Sequence, residues 1–260
     1  MIDLHNHILP GVDDGAGSVE EACRMAAALV DQGVTQACCT PHTTEWAAAG
    51  DEARIGERVV ELQASLDERG IGLKLLPGSE AHLSPTLAAD VRKRAVAPLN
   101  GSQYLLLEFP YDFLPPLFER VVFELQAGGV HPVIAHPERI GPIADDPSIL
   151  YRLVHRGCLA QLTAMSLAGG FGPRVREVSD LMLEHRLVHA IASDAHDADP
   201  RGRLYAIQPA REAATRLLGA AAATELFEGV PARIVAGQPI EAPAPQEIKK
   251  RHFSFLKAFR

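Results

Sequence analysis

Short β-rich runs alternate with amphipathic helical segments along most of this 260-residue chain. The seven runs are Ile2 to Leu4, Val34 to Cys39, Leu73 to Leu76, Tyr104 to Leu107, Val130 to Ala135, Leu159 to Leu162 and Val188 to Ala192. Strands that alternate with helices predict a parallel sheet, either open or closed into a barrel. The clearest helix is predicted after Ser18, where Ser18-Val-Glu-Glu21 has the capping-box pattern. Its predicted buried face carries Ala22, Met25, Leu29 and Val30.

The composition is that of one large domain followed by a different C-terminal segment. Hydrophobic residues make up 47% of the chain, and α/β barrels often reach this length as a single domain. Past Gly237 the sequence becomes proline-containing and then, from residue 249, basic and aromatic. We therefore predict one folded domain over residues 1–238, and a proline-containing linker with a basic and aromatic C-terminal tail over residues 239–260.

Charge and hydropathy exclude several classes of protein. The formal net charge of −8 argues against a nucleic-acid partner, because such proteins usually carry a basic surface. No apolar run approaches the ~20 residues that span a bilayer, and the N-terminus does not have the pattern of a signal peptide. We therefore expect a cytoplasmic protein. The four cysteines form no Cys-x-x-Cys pair, so we expect reduced, structural thiols.

Polar side chains collect at the points where the predicted strands end. Because the carboxyl ends of parallel strands lie at one edge, we expect these side chains to converge. The nine candidate metal ligands are His5, His7, Asp14, His42, Glu80, Glu108, His136, Asp194 and His196. Imidazole nitrogen and carboxylate oxygen suit zinc, manganese or iron. Each residue taken alone is more often a turn, cap or surface residue, but their recurrence at matching strand ends favours a metal cluster.

Two arginines follow these ligand motifs by a few residues. Arg139 and Arg201 are predicted to bind phosphate oxygens, since a guanidinium matches phosphate in a bidentate fashion. Arg203 competes with Arg201 for this role, and an ordinary surface arginine is the alternative for each. The six remaining histidines are predicted to be structural: His82, His131, His155, His185, His189 and His252. The pair Cys38-Cys39 is assigned to the core, because it lies within a strand and no Cys-x5-Arg loop follows it.

Together these motifs resemble the PHP superfamily, and within it the bacterial capsule-type (CpsB/CapC-like) protein-tyrosine phosphatases. The motifs that carry the resemblance are Asp3-Leu-His-Asn-His-Ile-Leu-Pro-Gly-Val-Asp-Asp-Gly15, Thr40-Pro-His42, Pro77-Gly-Ser-Glu80, Leu107-Glu-Phe-Pro110, Ala135-His-Pro-Glu-Arg139 and Ala192-Ser-Asp-Ala-His196. The resemblance implies an α/β fold, a distorted seven-stranded (β/α)7 TIM-like barrel. Histidinol phosphatases usually carry a histidine at the position of Glu108, which favours the tyrosine phosphatase branch.

The resemblance also implies three divalent metal ions, most often manganese, with zinc or iron as alternatives. One implied site consists of His5, His7, Glu80 and Asp194. The second consists of Glu80, Glu108 and His136. The third consists of Asp14, His42 and His196. One departure is Thr43, where relatives often have a second histidine, and this puts a peripheral contact in doubt.

We hypothesise a metal-dependent phosphotyrosine protein phosphatase, in which a hydroxide that bridges two metals attacks phosphorus. The resemblance implies that the partner is a membrane-bound bacterial tyrosine autokinase that controls capsular or exopolysaccharide synthesis. The tail is predicted either to contact the membrane or kinase peripherally, or to be a loose extension. The alternatives are a phosphatase of a small metabolite such as histidinol phosphate, and a non-catalytic PHP binding module.

Overall fold

A computed structural model describes residues 1–43 and 52–248 of the chain. Its eight strands are β1 (Ile2–Asn6), β2 (Gln36–Cys39), β3 (Lys74–Pro77), β4 (Glu80–His82), β5 (Tyr104–Glu108), β6 (His131–Ala135), β7 (Leu159–Thr163) and β8 (Ala190–Ala192). All the strand pairs are parallel, in the orders β1-β2-β3 and β4-β5-β6-β7-β8. The alternating pattern of the sequence thus predicted the sheet class correctly.

Two short bridges join the two sheets into a distorted barrel. Asn6 pairs with Ala195, which brings the end of β1 against the chain that follows β8. His42 pairs with Glu80, which brings the end of β2 against β4. The third predicted strand continues past Pro77 and is interrupted at Gly78 and Ser79, so β3 and β4 together occupy one of seven positions around the barrel.

Eleven α-helices surround the strands in the part of the chain that the structure describes. They are α1 (Val19–Asp31), α2 (Glu52–Glu68), α3 (Leu87–Arg92), α4 (Phe118–Ala127), α5 (Gly141–Asp145), α6 (Ser148–His155), α7 (Ala164–Ala168), α8 (Pro173–Glu184), α9 (Ile207–Leu218), α10 (Ala220–Thr224) and α11 (Val230–Val235). Short 3₁₀ turns lie at Leu99–Gly101, Pro137–Arg139 and Arg203–Ala206, and a π turn lies at Glu225–Gly229. None of these helices is long and apolar enough to cross a membrane.

The start of α1 shows how closely local sequence determines local structure. Ser18 Oγ accepts a hydrogen bond from the Glu21 backbone N–H at 3.2 Å, as the capping box predicts. The Glu21 carboxylate accepts from the Gly17 N–H at 3.0 Å rather than from that of Ser18, so the reciprocal half of the box is displaced by one residue. Two hydrogen bonds therefore close the beginning of α1, one from the Glu21 N–H to Ser18 and one from the Gly17 N–H to Glu21.

Alternation along the strands divides the apolar residues into two clusters. Cys38, Leu106 and Val133 belong to the smaller cluster inside the barrel. Their sequence neighbours Cys39, Leu107 and Ile134 belong to the larger cluster under the helices. All four cysteines are buried and unpaired, as expected of structural thiols. Burial raises the pKa of Cys158 to about 12, so this thiol stays protonated.

Residues 239–248 contain no helix or strand. Just before them, the Gly237 and Gln238 carbonyls accept hydrogen bonds from Gln103 and Tyr104 at the beginning of β5. The Gln246 N–H donates to the His185 carbonyl at 2.9 Å, so this segment lies against the domain. The predicted basic and aromatic tail from residue 249 onwards lies outside the described residues, and the domain boundary at residue 238 stays a prediction.

Candidate metal centre

The nine candidate ligands lie at one end of the barrel, and all but Glu80 are at the carboxyl end of a strand or in the loop that follows it; His42, for example, follows β2. His5 and His7 come from β1 and the residues after it, Glu80 begins β4, Glu108 ends β5, and His136 follows β6. Asp194 and His196 follow β8, whereas Asp14 comes from the loop between β1 and α1. The parallel topology therefore brings together residues that are up to 191 positions apart in the sequence.

Glu80 lies at the centre of this arrangement and is completely buried. Its Oε2 atom lies 3.1 Å from His5 Nε2, 3.4 Å from His7 Nε2 and 3.1 Å from His42 Nδ1. Its Oε1 atom lies 2.9 Å from His136 Nε2. One carboxylate thus faces four imidazoles, and its two oxygens point to different members of the group.

Asp194 and Asp14 extend the cluster on two sides. Asp194 Oδ1 lies 3.5 Å from His5 Nε2 and 3.6 Å from His196 Nδ1. Asp14 Oδ1 lies 3.5 Å from His196 Nε2 and 3.6 Å from His42 Nε2. The Asp14 side chain is 65% exposed, so this side of the cluster is open to solvent.

Among the residues that the structure describes, three groups of side chains could each hold a cation, because in each group one ligand atom per residue lies within 4.8 Å of the others. The groups are His7 with Asp14, His42 and His196; His5 with His7 and Glu80; and His42 with Glu80 and Glu108. Compared with the three implied sites, the third group gains His7 and the second gains His42, whereas Asp194 and His136 fall outside the three groups. The sets share side chains, as expected of a compact multinuclear site.

Several buried atoms lack the partner that a cation would provide. His5 Nε2 and His7 Nε2 lie 3.2 Å apart, and both also lie within 3.4 Å of Glu80 Oε2, so three ligand atoms converge on one position. Glu80 Oε2 and His42 Nδ1 are buried at 3.1 Å from one another without a hydrogen bond. An unpaired buried polar atom is costly, so this donor set fits divalent cations that take nitrogen and oxygen ligands.

Charge coupling perturbs the titration of the cluster strongly. Burial alone would lower the pKa of His5, but the nearby Glu80 and Asp194 carboxylates outweigh it and raise the pKa to about 9. For His7, burial is likewise outweighed by the hydrogen bond with Asp13 and by the nearby Glu80 carboxylate, which raise its pKa to about 10. Burial would raise the pKa of Asp194, yet the positive charges of nearby side chains, first His5, lower it to about 2. Without bound metal, His5 and His7 therefore carry protons at pH 7, and a cation that binds their Nε2 atoms must displace them.

The other titrating ligands follow the same physical causes. Burial opposes ionisation of Glu108, but the nearby His42 imidazole and the hydrogen bond with His82 lower its pKa to about 2. Burial, reinforced by the charge on His7, lowers the pKa of His196 to about 4. His82 was assigned a structural role from the sequence, and the structure places its Nδ1 atom 3.4 Å from Glu108 Oε2.

Two of the candidate ligands have a left-handed backbone. His136 has a φ of 33° and Asp194 has a φ of 54°, and both lie immediately after a strand or one residue beyond. Non-glycine residues adopt this region at a cost, and such residues cluster at functional sites. At both positions the side chain that follows the strand is a member of the cluster.

Two residues that the sequence analysis did not select contact the Nδ1 atoms of His5 and His7, on the side of each imidazole that faces away from the cluster. Asp13 Oδ2 lies 2.7 Å from His7 Nδ1 and accepts the His42 backbone N–H at 3.1 Å. Gln161 Oε1 lies 2.9 Å from His5 Nδ1. Partners of this kind fix the orientation and tautomer of metal-binding histidines. Gly15 lies so close to the His7 carbonyl that a Cβ atom there would collide with it.

A signal for both supporting residues exists in the sequence. Asp13 lies next to the selected Asp14, and only the fold shows that Asp13 pairs with His7 Nδ1 whereas Asp14 faces His42 and His196. Gln161 is a polar residue in the middle of the apolar run Leu159–Thr163. A buried polar side chain in such a strand requires a partner.

The predicted arginines differ in their placement. Arg139 Nη1 and Arg203 Nη1 both lie 2.7 Å from Asp194 Oδ2. The side chain of Arg201 is 92% exposed and pairs with Asp199 instead. The competing residue Arg203, rather than Arg201, thus lies against the cluster, while the catalytic role of Arg201 itself stays a prediction. Within the described residues, the hydrogen bonds of Arg139 and Arg203 all use Nη1, which leaves Nε and Nη2 for phosphate oxygens.

The family model for capsular polysaccharide synthesis, CpsB/CapC, matches residues 1–236. This chain belongs to the CpsB/CapC family. Across 251 residues it is 37% identical to the tyrosine-protein phosphatase YwqE of Bacillus subtilis, which covers 96% of this chain and 98% of the relative. It is 36% identical over 201 residues to the putative tyrosine-protein phosphatase CapC of Staphylococcus aureus, covering 77% of this chain and 79% of that one.

The solved structures give the same family relationship in three dimensions. The chain superposes with a TM-score of 0.91 and 37% identity on a structure from the crystallographic work on YwqE of Bacillus subtilis and CpsB of Streptococcus pneumoniae, described as unique metal-dependent tyrosine phosphatases. The match covers 96% of this chain and 100% of that one. The predicted PHP-type barrel and the predicted CpsB/CapC-like family are both confirmed.

Proposed function

We propose that this chain hydrolyses phosphotyrosine in proteins with divalent metal ions bound at the cluster around Glu80. The observation that carries the proposal is the convergence of four imidazoles on both oxygens of one buried carboxylate, with Arg139 and Arg203 at its edge. Relatives that share nearly the whole chain are named tyrosine-protein phosphatases. These names do not favour the histidinol phosphate or non-catalytic alternatives.

The nine candidate ligands would hold the cations, with Glu80 shared between neighbouring sites. Their nitrogen and oxygen donors, without thiolate, suit manganese, and three ions would be divided among the three groups of ligands. When bound, such ions lower the pKa of water to near neutrality and offset the charge on a phosphoryl group.

The residues of the chain itself position the phosphate. Asp194 Oδ2 holds both Arg139 and Arg203 by one nitrogen each, which fixes the two guanidinium groups beside the cluster. Their remaining N–H groups can then bind the phosphoryl oxygens in a preorganised way. A tyrosine leaving group has a pKa of about 10, so its departure depends less on a dedicated proton donor than that of serine.

We further propose that the substrate is an autophosphorylated bacterial tyrosine kinase at the cytoplasmic face of the membrane. The support is the assignment of the family to capsular polysaccharide synthesis. A direct test is to incubate the manganese-loaded protein with such a kinase purified in its phosphorylated form. Loss of the phosphotyrosine signal is expected, whereas a signal that persists while a phosphotyrosine peptide is hydrolysed would contradict this choice of substrate.

The proposed chemistry is tested by one panel of assays. Hydrolysis of a phosphotyrosine peptide, a phosphoserine peptide and histidinol phosphate is measured with manganese present and again after addition of EDTA. We expect the phosphotyrosine peptide to be hydrolysed fastest and EDTA to abolish the activity. Activity that survives EDTA would refute the metal requirement, and a preference for histidinol phosphate would refute the substrate.

A further inference from the structure

Two aromatic rings flank Arg139 at the edge of the cluster. The guanidinium carbon of Arg139 lies 5.1 Å from the centroid of Tyr111 and 4.6 Å from that of Phe171. The same ring of Phe171 lies 5.7 Å from the guanidinium carbon of Arg203. Both distances to Arg139 are within the range of a cation–π contact, so the rings help to hold the guanidinium in place.

Tyr111 connects the candidate metal centre with the solvent. Its ring stacks on the imidazole of His136 with centroids 5.3 Å apart and an angle of 18° between the planes. The residue is nevertheless 39% exposed, which is unusual for a large aromatic ring that also contacts a buried histidine. Part of the ring surface therefore remains available beside the place where the phosphoryl group would bind.

The backbone holds both aromatic residues firmly. The Tyr111 carbonyl accepts a hydrogen bond from the Gly141 N–H at 2.7 Å, which ties it to the turn that carries Arg139. Phe171 lies between Gly170 and Gly172, and Gly172 has a φ of 92°, a conformation that favours glycine. At Gly170 a Cβ atom would collide with the Met165 side chain.

We propose that Tyr111 and Phe171 are specificity-determining residues that contact the aryl ring of the substrate. The inference rests on the proposed function, because it assumes that Arg139 and Arg203 bind the phosphoryl group. An ester oxygen on that phosphorus brings its substituent next to the two rings that flank Arg139. The phenyl ring of phosphotyrosine can pack against them, whereas the short chain of phosphoserine has no ring to do so.

The magnitude follows from the energetics of aromatic pairs. Such a pair contributes about 0.5–1.5 kcal/mol beyond the area that it buries, which corresponds to about 2- to 10-fold in binding for each ring. Removing the aromatic character of one ring should therefore reduce the preference for an aryl substituent by about this factor. The binding of a substituent without a ring should fall less, because it loses only the contribution of the ring to holding Arg139.

Binding of non-hydrolysable phosphonates separates ring recognition from phosphate recognition. Dissociation constants of phenylphosphonate, cyclohexylphosphonate and methylphosphonate are measured by calorimetry on the manganese-loaded protein. The variants are Tyr111→Leu and Phe171→Leu, with Tyr111→Phe to keep the ring and Phe113→Leu as a control at an exposed aromatic residue. Thermal unfolding confirms that each variant is folded.

We expect the wild type to prefer phenylphosphonate over cyclohexylphosphonate, and each leucine variant to reduce that ratio about 2- to 10-fold. Tyr111→Phe and Phe113→Leu should retain the ratio. Unchanged ratios in both leucine variants would overturn the inference, and so would an equal loss for all three phosphonates, since the rings would then only hold the arginines. Hydrolysis of a phosphotyrosine peptide by the wild type, measured alongside, reports separately on the proposed function.

Discussion

Binding of the first divalent cation should displace about two protons from the candidate metal centre at pH 7. The pKa of His5 is raised to about 9 and that of His7 to about 10 in the protein without metal. Both imidazoles are therefore almost fully protonated at pH 7, and each must lose its proton before its Nε2 atom can bind a cation. Two histidines with an ordinary pKa of about 6.5 would together release only about half a proton.

The same values predict how metal affinity depends on pH. A raised pKa means that protons compete with the metal up to the raised value, so the affinity rises with pH throughout the range from 6.5 to 8.5. With two protons displaced, the association constant should increase about 100-fold per pH unit. For ordinary histidines the affinity would level off above about pH 7.

Calorimetric titration with Mn²⁺ in buffers of different ionisation enthalpy measures the number of protons released. The variant His155→Gln, at an exposed histidine outside the cluster, is a matched control and should release the same number. A release of half a proton or less at pH 7, together with an affinity that no longer rises above pH 7, would refute the electrostatic reasoning.

Three further predictions concern single side chains. Arg203→Lys should lower kcat by about 10²–10³-fold through loss of preorganised donors, and steady-state kinetics should show a smaller loss for Arg201→Lys, whose guanidinium lies in solvent. Gln161→Leu should weaken metal affinity about 10–100-fold, measured by competition with a chelator, because His5 loses its orienting partner. Burial lowers the pKa of His189 to about 4. At pH 5 the imidazole is therefore protonated in the unfolded chain but mostly neutral in the folded protein. Between pH 7 and pH 5 this should cost about 2 kcal/mol of unfolding free energy, and His189→Leu should remove that dependence in urea titrations.

Each of these predictions has a result that would contradict it. Equal losses in the Arg201 and Arg203 variants would mean that the exposed arginine moves to the site when substrate binds. Unchanged metal affinity in the Gln161 variant would show that metal binding by His5 does not depend on its hydrogen bond with Gln161. An identical pH dependence in the His189 variant would show that other groups account for the acid sensitivity.

The convergence of the ligands was predictable because one rule of parallel topology governs all of them. Each of His5, Glu108, His136 and Asp194 lies at or just after the end of a buried run, and the carboxyl ends of parallel strands share one edge. Neither the order of the strands nor the lengths of the helices was needed for this conclusion.

The placement of the two arginine side chains depends on the local turn, which no periodicity reveals. The Asp199 carboxylate accepts the Arg201 backbone N–H at 2.8 Å and also pairs with its side chain, which keeps that guanidinium in solvent. Two residues later a 3₁₀ turn begins at Arg203, and its side chain reaches Asp194. The interruption after β3 also depends on tertiary contacts, since the Ser79 hydroxyl donates to the distant Ala97 carbonyl.

The most direct test of the whole account is anomalous diffraction at the manganese absorption edge, from crystals of the manganese-loaded protein. We predict peaks among the nine candidate ligands, each within about 2.0–2.4 Å of imidazole nitrogens and carboxylate oxygens, with Glu80 contacting more than one. The absence of peaks around Glu80, or peaks only at exposed carboxylates such as Asp197 and Asp199, would contradict the claim that these side chains form a metal centre.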